Sequence, residues 1–425
     1  MIMTTLGRLA GLLMLAASMT AGAVTMDITA SFSPSMDNPD KNTFTNTTEQ
    51  SGFCARWPTS CTNDEHSLAT GVVLTPTTGL TAQDQPRDSL FFKWPSTFRQ
   101  VEMTNLETGD KQIVKFRIDS FSGKYIANSD AEFYSWGPGT GRSAFSVYPQ
   151  GGCKSLALGW MIDANEMAWL WDVPEGNTGC YRVSQIDRPV GGTTFIKTVT
   201  DLSFGYTMVA PNPLKMSSGI YTGSVSYSVG VGGDIDFGDN YQPSDTVVDI
   251  NFTLTVNHEL KVTTTAADQK VSLQPCTPGK TCTEEEGKAN WERSMVSGTA
   301  PQLTGRSNFT ISSSGMFTVY LSCEQESGTG CALKSDNTGE LIPVQTLLTL
   351  PAKIIDHNTG QTISRREIYT GLDGSRNIFD TDIIANGAIG SFDFLVKKSD
   401  VKTMLKNAPD TYRGAVTVIF DPKLY

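Results

Sequence analysis

Thr411 to Pro422 reads TYRGAVTVIFDP. Tyr412, Gly414, Val416, Val418 and Phe420 share one face of an extended chain, and Thr411, Arg413, Ala415, Thr417 and Ile419 share the other. Alternation with β-branched residues at most central positions predicts a strand. An earlier stretch repeats the pattern. Ile220 to Tyr227 reads IYTGSVSY, so Tyr221, Gly223, Val225 and Tyr227 match Tyr412, Gly414, Val416 and Val418. After the first copy comes Thr246 to Leu260, TVVDINFTLTVNHEL, with Val248, Ile250, Phe252, Leu254 and Val256 alternating. After the second, only Lys423, Leu424 and Tyr425 follow Pro422. The expectation is two similar β-units, the second without the strand that closes the first. An apolar strand edge without a partner invites pairing with another chain.

A chain of 425 residues has room for two or three domains. Arg8, the apolar run Leu9 to Met19 and the Ala21-Gly22-Ala23 site read as a secretory signal over residues 1–23, with the mature chain starting at Val24. The apolar run is too short to span a membrane. The cysteines number eight and fall into neighbour pairs: Cys54 and Cys61, Cys153 and Cys180, Cys276 and Cys282, Cys323 and Cys331. In an exported chain this reads as four disulfides. Zinc is the weaker alternative, because no pair has C-x-x-C spacing and His66, His258 and His357 stand far apart. Between Val24 and Asn257 there are 15 Lys and Arg against 25 Asp and Glu; from His258 onward the counts are 17 and 19. A front half this acidic repels phosphate backbones, which argues against nucleic acid and against anionic targets unless a local basic pocket exists.

Short alternating runs broken by Gly, Ser, Thr, Asn and Asp predict an all-β fold of two sandwiches, over residues 24–257 and 258–425. Strands are expected at Val24–Phe32, Ile113–Ile118, Phe145–Tyr148, Val344–Leu350 and Phe392–Val396, and through Phe309, Ile311, Phe317, Val319 and Leu321. Leu156 to Ile162 and Met167 to Val173 form a hairpin whose outer ends the Cys153–Cys180 disulfide would join. The helical pattern singled out is Lys398–Lys406, before Pro409.

Catalytic signatures are missing. No G-x-S-x-G and no H-E-x-x-H occurs. PGKT at Pro278–Thr281 has Gln274 where a phosphate loop needs glycine. Asp234, Asp236 and Asp239 are spaced like calcium ligands but lack the closing Glu. Neither metal nor cofactor is expected, nor is enzymatic activity. Six of the seven tryptophans lie in the front half. Trp160, Trp169 and Trp171 sit on alternating strands and read as core. Trp136, in SWGPGTGR with Arg142, and the Arg56-Trp57 pair in the first disulfide loop read as receptor contacts, because an aromatic beside an arginine on a loop suits recognition.

The Tyr412-x-Gly414-x-Val416-x-Val418-x-Phe420 strand, with Asn308-Phe309-x-Ile311-Ser312 and the strand ending at Cys323, resembles the chaperone–usher fimbrial subunits. The plan of signal, sandwich, second sandwich and truncated end is similar to that of their two-domain tip adhesins. The resemblance covers His258 to Tyr425 in sequence and the front half in architecture. It implies two immunoglobulin-like sandwiches, the C-terminal pilin domain lacking its last strand. Tyr412, Gly414, Val416, Val418 and Phe420 would edge the groove that takes a strand first from a periplasmic chaperone and then from an adjacent pilin subunit. It also implies an outer-membrane usher, a host glycan or protein receptor, and a place at the fimbrium tip on the cell surface. Many pilins place an aromatic next to last, whereas Tyr425 is last here and Pro422 stops the strand early. Val24–Phe32 alternates as a donor extension would, which leaves an adaptor or minor pilus subunit as an alternative. A secreted carbohydrate-active enzyme with an accessory sandwich is another.

Overall fold

The computed structural model describes residues 22–35, 38, 41–62, 64–129, 136, 144–157, 160–163, 165–277, 279–371 and 377–422. Residues 1–21 of the signal segment, Arg142 and Tyr425 lie outside them. Strands dominate. The principal ones are β1 (Ala23–Phe32), β2 (Arg99–Asn105), β3 (Lys111–Ala127), β4 (Glu166–Asp172), β5 (Ile196–Val209), β6 (Gly219–Ser228) and β7 (Val247–Val256). They continue with β8 (Leu260–Thr263), β9 (Leu303–Ser313), β10 (Phe317–Cys323), β11 (Leu341–Thr349), β12 (Ala385–Val396) and β13 (Val416–Asp421).

Pairing divides these strands into two sets. A 13-stranded sheet runs β5-β3-β2-β6-β7-β1 through its middle, with β4 paired to β3. Its core includes Ile28, Phe32, Phe116, Phe121, Trp169, Trp171, Tyr221, Phe252 and Leu254. β4 is covered on both faces, so Ala168 and Leu170 are buried along with Met167, Trp169 and Trp171. Gly123 lies opposite Trp169, where a Cβ would stand 2.6 Å from the indole. The second set holds a nine-stranded sheet running β8-β9-β12-β11 and a four-stranded sheet ending β10-β13. Its core includes Phe309, Ile311, Phe317, Val319, Leu348, Phe379 and Phe392. Ile384, on the turn before β12, packs instead into the first core.

Several local expectations change. Val247–Val256 is one strand, but Asn257 to Glu259 break it and Leu260 starts β8 in the other sheet. The last strand is split too. Tyr412–Arg413 pairs with Gly330–Ser335, whereas β13 pairs with β10. Gly414 is the switch, because a Cβ there would lie 2.7 Å from the Ala332 carbonyl oxygen. Phe145 sits in a helical turn, Ala144–Val147, and not in a strand. Cys153 precedes a short strand on β4, but its partner Cys180 lies in Cys180–Arg182, which pairs with Leu90–Phe92. That disulfide therefore ties the hairpin base to a neighbouring two-stranded sheet. All four neighbour pairs are bonded, with Cα atoms 5.6, 5.6, 5.9 and 5.3 Å apart in chain order.

The helix α2 spans Lys398–Lys406 as its sequence predicts. A longer helix, α1 (Glu284–Ser297), was not anticipated. Its start is a capping box: Thr283 accepts from the Glu286 N–H, and the Glu286 carboxylate accepts from the Thr283 N–H. Its end is Gly298 at φ 65°, the left-handed geometry a glycine C-cap supplies.

Candidate functional site

The second set of strands carries an open apolar groove. β13 bonds β10 along one edge, with Val416 opposite Cys323, Val418 opposite Leu321 and Phe420 opposite Val319. No described strand pairs with its other edge. β8 is likewise bonded on one side only, to β9. Between the two edges runs a groove of about 700 Å³. Leu260 and Val262 of β8, Val416, Val418 and Phe420 of β13, and Phe309 of β9 line it. Their side chains are half-buried except Phe309, which forms the floor. The Phe420 ring lies 5.4 Å from that of Phe309 and 6.1 Å from that of Phe392.

The groove is therefore an apolar seam between two strand edges that no described strand fills. Its long walls are backbone edges, and its floor is apolar. Gly414 and Ala415 line one end, but Tyr412 does not line it; its side chain packs near the core and its hydroxyl lies 3.2 Å from the Asn407 amide. An extended peptide laid along β13 would meet free N–H and C=O groups at its edge and apolar positions at every second residue.

The equivalent seam in the first set is closed. β6 pairs with β7 from Gly219 opposite Val256 to Ser228 opposite Val247. β1 then covers the far edge of β7 in parallel, from Ala23 opposite Val247 to Phe32 opposite Val256. Met26, Ile28, Ala30 and Phe32 are buried there. The N-terminal strand is thus paired within the 13-stranded sheet and does not project as a donor arm.

The expected receptor residues separate. Trp136 is 0% exposed, which overturns its reading as an exposed loop contact. Its indole N–H donates to the Tyr125 hydroxyl at 3.0 Å, its ring meets Phe145 at 4.8 Å, and the Arg188 guanidinium covers it at 4.1 Å. Arg142, the other half of that pair, lies outside the described residues. Arg56 and Trp57 are at the surface. The guanidinium lies 5.2 Å from the Trp57 ring centroid and pairs with Asp201. Both line a concavity of about 310 Å³ beside Phe53 and Asp201.

The acidic triplet is occupied by arginines. Arg87 bonds Asp236 at 2.9 and 3.2 Å and Asp239 at 2.9 and 3.2 Å, and Arg99 bonds Asp234 at 3.2 Å. Burial alone would raise the Asp236 carboxyl; hydrogen bonds from Arg87 and the N–H groups of Gly232 and Gly238 outweigh it and hold it below the usual carboxylate range. Asp236 and Asp239 clasp Arg87 to the Gly-rich turn, and Asp234 holds Arg99 there. Among the described residues no group of three or more metal-ligating side chains forms a cluster.

No family model matches this chain, and no curated protein matches it in sequence. Solved structures align with it at low similarity. A chain from work on the chaperone–tip adhesin complex of CFA/I fimbriae shares 9% identity, covering 95% of this chain and 97% of its own, with a TM-score of 0.26. A point mutant of the CFA/I adhesin CfaE of enterotoxigenic E. coli shares 8%, over 95% and 93%, with a TM-score of 0.25. A chain of the CsuC–CsuE chaperone–tip adhesion subunit pre-assembly complex, from archaic chaperone-usher Csu pili of Acinetobacter baumannii, shares 12%, over 94% and 99%, with a TM-score of 0.21.

Proposed function

We propose that this chain is a fimbrial tip adhesin of the chaperone–usher kind, exported through the periplasm and displayed at the fimbrium tip. In this reading residues 24–257 form a receptor-binding unit for a host glycan or protein. Residues 258–425 form an immunoglobulin-like pilin unit that another chain completes. A periplasmic chaperone lends the strand first, the usher exports the complex, and an adjacent pilin subunit takes the chaperone's place. The chain binds and does not catalyse. The observation that carries the reading is the groove between β8 and β13, with two unpaired edges and Leu260, Val262, Val416, Val418 and Phe420 facing it.

Fully burying a Val, Leu or Phe side chain stabilises by roughly 1.5–3 kcal/mol, and a foreign strand would cover several such residues while pairing the free edges. The test appends a seven-residue strand with alternating apolar residues after Tyr425 through a short flexible linker. The melting temperature of the second unit should rise by 10 °C or more. An unchanged melting temperature would remove the pilin half of the reading. The burial of β1 against β7 weighs against an adaptor subunit, which would need that strand free. For the receptor, Arg56 and Trp57 are the proposed contacts, as an exposed cation and a half-buried aromatic beside a concavity.

A further inference from the structure

We infer that the concavity around Arg182 is an anion site on the first unit, suited to a carboxylate or sulfate group carried on a sugar. This rests on the receptor-binding half of the proposed function and adds the charge of what is bound. It does not depend on the groove.

The concavity measures about 630 Å³ and lies between Tyr148, Lys154, Leu156 and Arg182. Arg182 ends the strand Cys180–Arg182, which is held by the Cys153–Cys180 disulfide and by pairing with Leu90–Phe92. Its guanidinium donates to the carbonyl oxygens of Tyr148, at 2.8 Å, and of Trp136. Its Nε is buried without a partner. Among the described residues no carboxylate pairs with it. In a half that holds 25 acidic and 15 basic residues, a half-buried arginine served, among the described residues, only by carbonyl dipoles is out of keeping. A half-buried charge without a counter-charge costs stability, and a bound anion offsets that cost. Burial accordingly pushes the Arg182 guanidinium down from its ordinary value, and Tyr148 partly opposes this.

The surroundings specify more than charge. Lys154 adds a second cation, with Asp172 as its neighbour. Tyr148 and Leu156 are 48% and 52% exposed and give an apolar wall. A planar guanidinium suits the paired oxygens of carboxylate or sulfate, and an exposed aromatic suits the C–H face of a sugar ring. The site is linked to Trp57 through one cluster. Ala157, on its rim, packs into the Phe53–Cys54–Leu170 cluster that Trp57 also touches. Two concavities thus flank one small cluster.

The test immobilises the full mature chain and passes over it dextran sulfate, carboxymethyl dextran and neutral dextran of equal length. At least one charged polymer should bind saturably, and neutral dextran should not. The preference between the two identifies the anion. Lys154→Glu and Tyr148→Ala, both at accessible positions, should each weaken charged binding about tenfold or more. Arg182→Ala should abolish it wherever its melting curve matches wild type. Binding of neutral dextran as tight as the charged forms, no binding of either charged form, or charged binding unchanged in Lys154→Glu and Tyr148→Ala would each overturn the site. Strand appending reads melting and this experiment reads binding, so either reading fails without the other.

Discussion

Tyr221, Gly223 and Val225 of β6 and Tyr412, Gly414 and Val416 at the entry to β13 present one sequence pattern in two situations. β6 has β7 along its whole length, and β1 beyond that. β13 has β10 on one side and a groove of about 700 Å³ on the other. Tyr221 and Tyr227 are fully buried, whereas Val416, Val418 and Phe420 are half-exposed. Alternation states which face of a strand is apolar; it does not state what will cover that face. The cover for β6 is written immediately downstream, in Val248, Ile250, Phe252, Leu254 and Val256. No described segment plays that part for β13.

The largest expected effect tests that difference directly. Val225→Asp places a carboxylate in a filled seam, where Val225 is 7% exposed. It should cost about 3–5 kcal/mol and abolish the cooperative melt of the first unit. Val418→Asp faces the groove, so in the unfilled chain it should cost only about 1 kcal/mol. Once a strand is appended after Tyr425, Val418→Asp should erase the gain. Urea titration of wild type, the two single variants, and the appended chain with and without Val418→Asp reads all of this. Equal losses for the two substitutions in the unfilled chain would mean that the seams do not differ.

A smaller effect concerns what holds the closed seam's Gly-rich turn. The Asp236 side chain is 2% exposed and that of its partner Arg87 is 38% exposed. Breaking a buried pair costs about 3–5 kcal/mol, and partial solvent access to the arginine reduces this. Arg87→Met should therefore destabilise the first unit by about 2 kcal/mol and leave the transition of the second in place. The acid side follows from the same contacts. Asp234 and Asp236 both sit below the usual carboxylate value in the folded chain. Their stabilisation is present above the unfolded value near 3.8 and is lost as pH falls through the folded one. Arg87→Met should flatten that acid limb.

Much of this was legible because strands in an antiparallel fold announce themselves by period two. The faces of β1, β6, β7, β9 and β10 follow from their residues alone, and the cysteine spacing points to the bonds found. What failed depended on distant partners. Trp136 looks like a loop aromatic until Tyr125, Phe145 and Arg188 close around it. Phe145 reads as strand by composition, yet it turns helically to plug the same cluster beside Trp169 and Trp171. The break at Gly414 depends on the Ala332 carbonyl, more than 80 residues away in the chain. α1 was legible and missed: Thr283-x-x-Glu286 and Gly298 are its start and stop signals. Arg182 carries no local motif, and what marks it is the lack of a carboxylate partner among the described residues.

The smallest effect lies where the two seams meet. His258 follows directly on the closed one, and the chain then crosses to β8, the rim of the open one. Its Nε2 lies 2.8 Å from the Met216 carbonyl oxygen, so Nε2 carries the proton and donates. Its Nδ1 faces the Ser314 hydroxyl at 3.3 Å, and its ring meets Phe32 edge-on at 5.7 Å. Burial lowers its pKa from the ordinary 6.5, against hydrogen bonds to backbone at Met216, Ser314 and Pro213 that pull it up. The folded chain therefore resists a proton that the unfolded chain accepts. Stability falls as pH drops below about 6.5 and goes on falling until the folded value is reached. Between pH 7.5 and 5.0 the melting temperature should therefore fall. Asp234, Asp236 and Asp356 titrate below 3.8 and stay out of this window. Asp172, raised first by burial and then by Asp119, acts in the opposite sense and equally in wild type and variant. His258→Gln keeps a donor for Met216 and cannot take up a proton, so its melting temperature should change less over the same range. Identical pH slopes for wild type and His258→Gln would show that the ring is not held dry between Phe32, Met216 and Ser314, and that the closed seam ends before it.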